Sequence, residues 1–128
     1  MKRKGDLYHK IYDINNLILA DKKASKGKSK QKAVIDHNKN KSIDILKLHF
    51  ALRNKEYKTS PYTQFKIFEP KERIISRLPY FPDRICQHAI ANIIEPILSS
   101  VFTSDTYSAI KGRGIHKASN ALRKAIKN

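Results

Sequence analysis

The sequence has 128 residues, 40% of them apolar or aromatic, enough for one domain or one part of a larger one with its own core. Lys and Arg number 27 against 11 Asp and Glu, a formal charge of +16 that points to a polyanionic partner, nucleic acid ahead of a membrane surface. No apolar run approaches the roughly 20 residues of a bilayer span, the start Met-Lys-Arg-Lys-Gly-Asp lacks the apolar segment of a secretory signal, and a lone Cys86 excludes an internal disulfide. A reducing, cytoplasmic setting with no membrane partner is the expectation.

Residues 1–12 carry Lys2, Arg3, Lys4 and Lys10 with Tyr8, Ile11 and Tyr12, a basic arm anchored by its aromatics. A helix is predicted from Asn15, whose side chain can cap orphan amides, with Ile14 and Leu19 as a hydrophobic staple. Leu17, Ala20 and Ala24 mark its buried side, and Gly27 suits its C-terminal stop. The run Lys22–Lys32 then holds six lysines and no acid. Such runs are usually solvated loops, yet Lys26, Lys28 and Lys30 can also neutralise phosphates. Val34 and Ile35 are apolar enough to pack, while His37, Asn38 and Asn40 read as a connection.

Ser42 is a candidate cap for a helix over 43–54, with Ile45, Leu48 and Leu52 as one stripe and Leu46 and Phe50 beside it. Residues 55–62 turn polar and extended. Phe65 and Ile67 alternate with Gln64 and Lys66, the period of a strand, and a Pro70–Glu72 turn leads to a second strand, Arg73–Leu78. A long apolar helix opens at Pro82, with Asp83 at its positive end. Its apolar pairs run from Ile85/Cys86 to Ile97/Leu98, a wide buried face, and Pro96 is expected to kink or restart it. Cys86 within that pattern reads as a buried small hydrophobe. A short extended piece around Tyr107 and the run Lys111-Gly112-Arg113-Gly114 precede a last helix with Ile115, Ala118, Leu122, Ala125 and Ile126 at helical spacing. That helix reaches the last residue without a cap, the expectation for a chain that continues. The fold class expected is α+β, mainly helical with a small antiparallel hairpin.

Three stretches, in this order, resemble the N-terminal fingers region of bacterial reverse transcriptases of the group II intron, retron and diversity-generating types. LPYFPDRICQHAIANIIEPIL (78–98) is similar to the family's Pro, Asp-Arg and Glu-Pro-Ile pattern. DTYSAIKGRGIHKA (105–118) resembles its Ser-Tyr, basic Gly-basic-Gly and His segment, and NLILADKKASKGK (16–28) its N-terminal extension. The resemblance covers most of the chain and implies a fingers subdomain, 1–128, of an RNA-directed DNA polymerase, with RNA template, DNA primer and deoxynucleoside triphosphate as partners. The family's metal-binding aspartates, which hold Mg²⁺, lie on a palm domain beyond this segment. No Asp-Asp pair occurs here, so the fragment alone is expected to be inactive and to hold no cofactor. A palm-facing apolar surface left bare would also favour self-association. One departure is Ile110, where the family commonly has Arg before the residue matching Lys111.

Nucleotidyl transfer needs cations that hold a triphosphate and neutralise developing charge. Lys71 offers a point charge and Arg73 a bidentate fork. The resemblance assigns both, and then Arg77, to the nucleotide's phosphates. Arg84 is a candidate for nucleic-acid backbone, against an ordinary ion pair with Asp83 or Glu95 or a cap on a neighbouring carbonyl. Lys111, Gly112, Arg113 and Gly114 combine backbone that an anion can approach closely with a helix start. Tyr107 suits stacking on a base or sugar, or a core position with a satisfied hydroxyl. The histidines at 9, 37, 49, 88 and 116 show no metal-ligand spacing. The competing reading is a freestanding basic RNA- or DNA-binding module without enzymatic activity.

Overall fold

The computed structural model describes residues 2–128, an α+β chain of six helices and one two-stranded antiparallel sheet. In chain order these are α1 (Tyr8–Ile11), α2 (Ile14–Ser25), α3 (Lys32–Lys39), α4 (Lys41–Arg53), β1 (Thr63–Ile67), β2 (Arg73–Arg77), α5 (Ile85–Val101) and α6 (Ile115–Lys127). A π-helical turn, Tyr80–Arg84, leads into α5. Two compact units result, Lys2–Ile93 and Ile94–Asn128.

The core of the first unit follows from helical spacing. Leu17 and Ala20 of α2 meet Ile45, Leu48 and Leu52 of α4 and Ile85, Cys86 and Ala89 of α5, all buried. These are i, i+3, i+4 and i+7 positions, the stripe a helix must hide from water. Burial of a side chain such as Leu17 or Leu48 is worth about 1.5–3 kcal/mol. Polar groups fix the packing. Asn16 donates through Nδ2 to the carbonyls of Ile11 and Ala89, at 2.9 and 3.1 Å, and accepts from Asn92 Nδ2 at 3.1 Å. The basic arm is anchored by its aromatics. The Tyr8 hydroxyl donates to the Leu52 carbonyl, and the Tyr12 ring meets His49 edge to face.

Several expectations are corrected. Helix α2 is capped by Asp13, whose Oδ1 accepts from the Asn15 amide at 2.8 Å. Asn15 therefore lies inside the helix, and exposed Ile14 and Leu19 form no staple. An aspartate two residues ahead of Asn15 simply reaches the same orphan donors. Residues expected as a connection form α3, because Val34 and His37, three apart, both find the core. Helix α4 starts at Lys41 without a side-chain cap, so Ser42 does not cap it. Its end is a left-handed cap. Lys55 sits at φ 59°, while the Glu56 and Lys55 amides donate back to the Ala51 and Leu52 carbonyls. The strand expected to reach Leu78 ends at Arg77, and around Tyr107 the chain is irregular.

In α5 only the first two turns are buried, and Ile90, Leu98 and Val101 are exposed. Pro96 lies inside the helix without ending it, at the loss of one amide donor. In the second unit α6 carries its predicted apolar stripe, with Ile115, Leu122 and Ile126 exposed. Among the described residues no helix is long and apolar enough to cross a membrane.

Candidate nucleic-acid interface

The hairpin supplies one wall of an open groove of about 690 Å³. Register pairs Thr63 with Arg77, Phe65 with Ile75 and Ile67 with Arg73. Opposed residues share a face, so Phe65 and Ile75 form an apolar floor beside Arg77. Across from it, Lys28 projects from the turn after α2 and Lys32 from the first residue of α3. Arg84, the last residue of the π-helical turn, and Gln87, in the first turn of α5, complete the lining.

Four cations from four segments thus converge, and among the described residues no carboxylate lines the groove. Among the described residues none of the four enters an ion pair. Unpaired positive charge over an apolar and aromatic floor suits single-stranded nucleic acid, whose bases stack while its phosphates meet cations. Phosphate contacts then govern affinity and make it depend on salt.

Local chemistry explains the placement. The lysine run is wound rather than loose. Gly27 adopts φ 74°, and the Lys28 and Gln31 amides donate to the Ser25 and Lys28 carbonyls at 2.9 and 3.0 Å. Arg84 is free because its neighbour Asp83 is engaged elsewhere. The fully buried Asp83 carboxylate accepts from the Tyr57 hydroxyl at 2.6 Å and the Ser60 amide at 3.1 Å. Burial alone would raise the Asp83 carboxyl, but these bonds outweigh it and hold its pKa below the ordinary value. That carboxylate ties the segment leading into β1 to the start of α5, and so sets one groove wall against another. Burial, joined by the bond to Asp83, pushes the Tyr57 hydroxyl well up. Burial likewise raises the Cys86 thiol, which disfavours a nucleophilic thiolate there.

Of the residues singled out from sequence, Lys28, Arg77 and Arg84 are brought together, with Lys26 and Lys30 exposed on the same turn. Lys71 and Arg73 are at the other end of the hairpin. Arg73 is four residues along β2 from Arg77, about 13 Å at strand rise. Lys71 belongs to the tip, where Lys66 and Glu72 pair at 3.1 Å. Both are exposed and, among the described residues, in no ion pair. From sequence Lys32 is only the end of the lysine run, and Gln31 and Gln87 were not anticipated. Gln87 had a signal, lying three residues beyond Arg84 and so on the same side of the helix.

In the second unit, Gly112 takes φ 79°, the left-handed conformation glycine allows, and Gly114 stands extended at the N-terminal cap position of α6. Arg113 turns inward, its Nη1 donating to the Thr103 carbonyl at 3.0 Å, so its guanidinium staples the loop. Lys111 is exposed, and half-exposed Tyr107 makes a long contact of 3.4 Å with Asp105.

No protein-family model matches this chain, and no curated protein matches it significantly.

Proposed function

We propose that this chain is the fingers portion of an RNA-directed DNA polymerase and that its groove holds single-stranded template RNA. The single observation that carries the reading is the convergence of unpaired Lys28, Lys32, Arg77 and Arg84 on an apolar floor. The ordered resemblances at 16–28, 78–98 and 105–118 supply the enzyme class. In this reading Lys71 and Arg73, on the hairpin tip, meet the phosphates of the incoming nucleotide, and Arg77, farther along the same strand, lines the template groove. Lys111, Gly112 and Gly114 meet nucleic-acid backbone, on a loop that Arg113 holds in shape. The carboxylates that hold Mg²⁺ belong to a palm domain, which packs on the exposed stripe of Ile115, Leu122 and Ile126. A DNA primer is the second nucleic-acid partner in this reading, and the polymerase works in the cytoplasm.

The first test is binding of a fluorescent single-stranded RNA over a range of salt. Each phosphate contact contributes a slope of about −0.7 in log K against log salt. Arg77→Ala with Arg84→Ala should therefore flatten the slope by roughly 1.4, and an unchanged slope would remove the groove from the reading. The second test joins the chain to its catalytic domain. Lys71→Ala with Arg73→Ala should then raise KM for deoxynucleoside triphosphates while RNA affinity holds. A joined chain that makes no DNA on an RNA template ends the polymerase reading. Binding by the isolated chain would then favour a freestanding nucleic-acid-binding module, for which a groove complete within Lys2–Ile93 is the supporting observation.

A further inference from the structure

Helix α3 is eight residues long, and only Val34 and His37 are buried in it. A helix this short does not hold itself in water. Yet its first residue, Lys32, is one wall of the groove, and the turn carrying Lys28 leads directly into it. Something must fix its position.

The His37 ring is at the centre of the only buried polar cluster that joins α2, α3 and α4 among the described residues. Its Nδ1 lies 2.9 Å from Asp44 Oδ2 on α4, and its Nε2 lies 3.1 Å from Asp21 Oδ1 on α2, the latter off the hydrogen-bonding direction. The ring stacks on Phe81, centroids 5.5 Å apart and planes 19° apart, and meets Tyr80 edge to face. The Tyr80 hydroxyl donates to Asp21 Oδ1 at 2.5 Å, and Lys41 Nζ stands 3.2 Å from Asp21 Oδ2. Three helices and the turn opening α5 are thus pinned to one imidazole.

We propose that His37 is a positioning residue for the nucleic-acid groove, setting Lys28 and Lys32 at their distance from Arg77 and Arg84. The inference rests on the groove reading above. Physical chemistry favours position over stability as its role. Burying charged groups is costly, and such clusters often add little net stability, whereas their fixed directions select one arrangement of the elements. An apolar residue in place of His37 would bury well and leave α3 free to shift. Asp21 and Asp44 would also lose a shared partner.

The test compares the intact chain with His37→Ala, His37→Gln and Phe81→Leu at a temperature where circular dichroism shows all that fold to be folded. In His37→Ala, amide hydrogen exchange across α3 should rise at least about tenfold while β1 and β2 exchange as before, the signature of local rather than global opening. Affinity for a single-stranded RNA should fall as it does in Lys28→Ala/Lys32→Ala. Adding His37→Ala to that double variant should cost nothing further, because the cations it positions are already gone. His37→Gln, which keeps one amide within reach of Asp44, should recover part of both effects. If His37→Ala does not fold, His37→Gln and Phe81→Leu carry the comparison. Unchanged exchange in α3, or an affinity loss that adds to the lysine substitutions, overturns the proposal. Wild-type chain that binds no RNA overturns the groove reading instead, and the exchange measurement still decides whether His37 positions α3.

Discussion

Asp83 is where a single side-chain truncation should loosen the groove and the core together. Its fully buried carboxylate accepts two hydrogen bonds, from Tyr57 at 2.6 Å and from the Ser60 amide at 3.1 Å. A bond to an ionised group contributes about 1.5–3 kcal/mol. Asp83→Ala strands both donors, but Tyr57 and Ser60 are half-exposed and water recovers part of the loss. The low end of the range for each gives about 3 kcal/mol. With a urea m-value near 1.5 kcal/mol/M, the unfolding midpoint should drop by roughly 2 M. Tyr57→Phe removes one bond and should cost about 1.5 kcal/mol alone, yet almost nothing in the Asp83→Ala background. Asp83 also carries an acid limb. Its folded pKa is lowered, so the unfolded chain takes up the proton first. The stability it contributes is full above about pH 4 and is lost as pH falls through the folded value. Asp83→Asn should abolish that limb. Urea melts of the three single variants and the double, at pH 7 and across the acid range, measure all of this. A loss below about 1 kcal/mol for Asp83→Ala, or simple additivity with Tyr57→Phe, would refute the reasoning.

His88 should report groove occupancy. Burial lowers its pKa, and the charges of Arg84, Lys28 and Lys23 lower it further. A polyanion neutralising Arg84 and Lys28 should raise that pKa, so RNA affinity should increase as pH falls through the range of His88 titration. An imidazole proton titration by NMR with and without RNA decides it, and identical curves would count against occupancy beside Arg84. Backbone conformation predicts opposite signs at two positions. Gly27→Ala, at φ 74° with open space around a new Cβ, should destabilise by about 1 kcal/mol through strain alone. Lys55→Gly, at φ 59°, should stabilise by about 0.5–1 kcal/mol. Thermal melts of both variants check the pair, and equal signs would show that local strain is not what separates them.

Periodicity was legible in the longer elements, though not in α3. The stripes Leu17/Ala20/Ala24 and Ile45/Leu48/Leu52, the alternation in 63–67 and the helix of 115–127 depend on neighbours within a turn or two, and local spacing reports them. Charge was equally plain, since composition needs no coordinates. Polar residues on buried faces were not legible as partners. Asp21 sits on the apolar side of α2 between Ala20 and Ala24, which marks it as unusual. That it meets Tyr80, His37 and Lys41, far off in sequence, depends on how helices cross. His37 read as a connection for the same reason, because its two carboxylates lie on other helices.

What the amino-acid order determined by itself was therefore most of the elements, α3 excepted, and the surplus of cations. Tertiary structure alone decided which of those cations meet. Arg77 and Arg84 share a groove with Lys28 and Lys32, while Lys71 and Arg73 stand at the far end of the same hairpin. Strand register and helix packing set such distances across the chain, and no spacing along it encodes them.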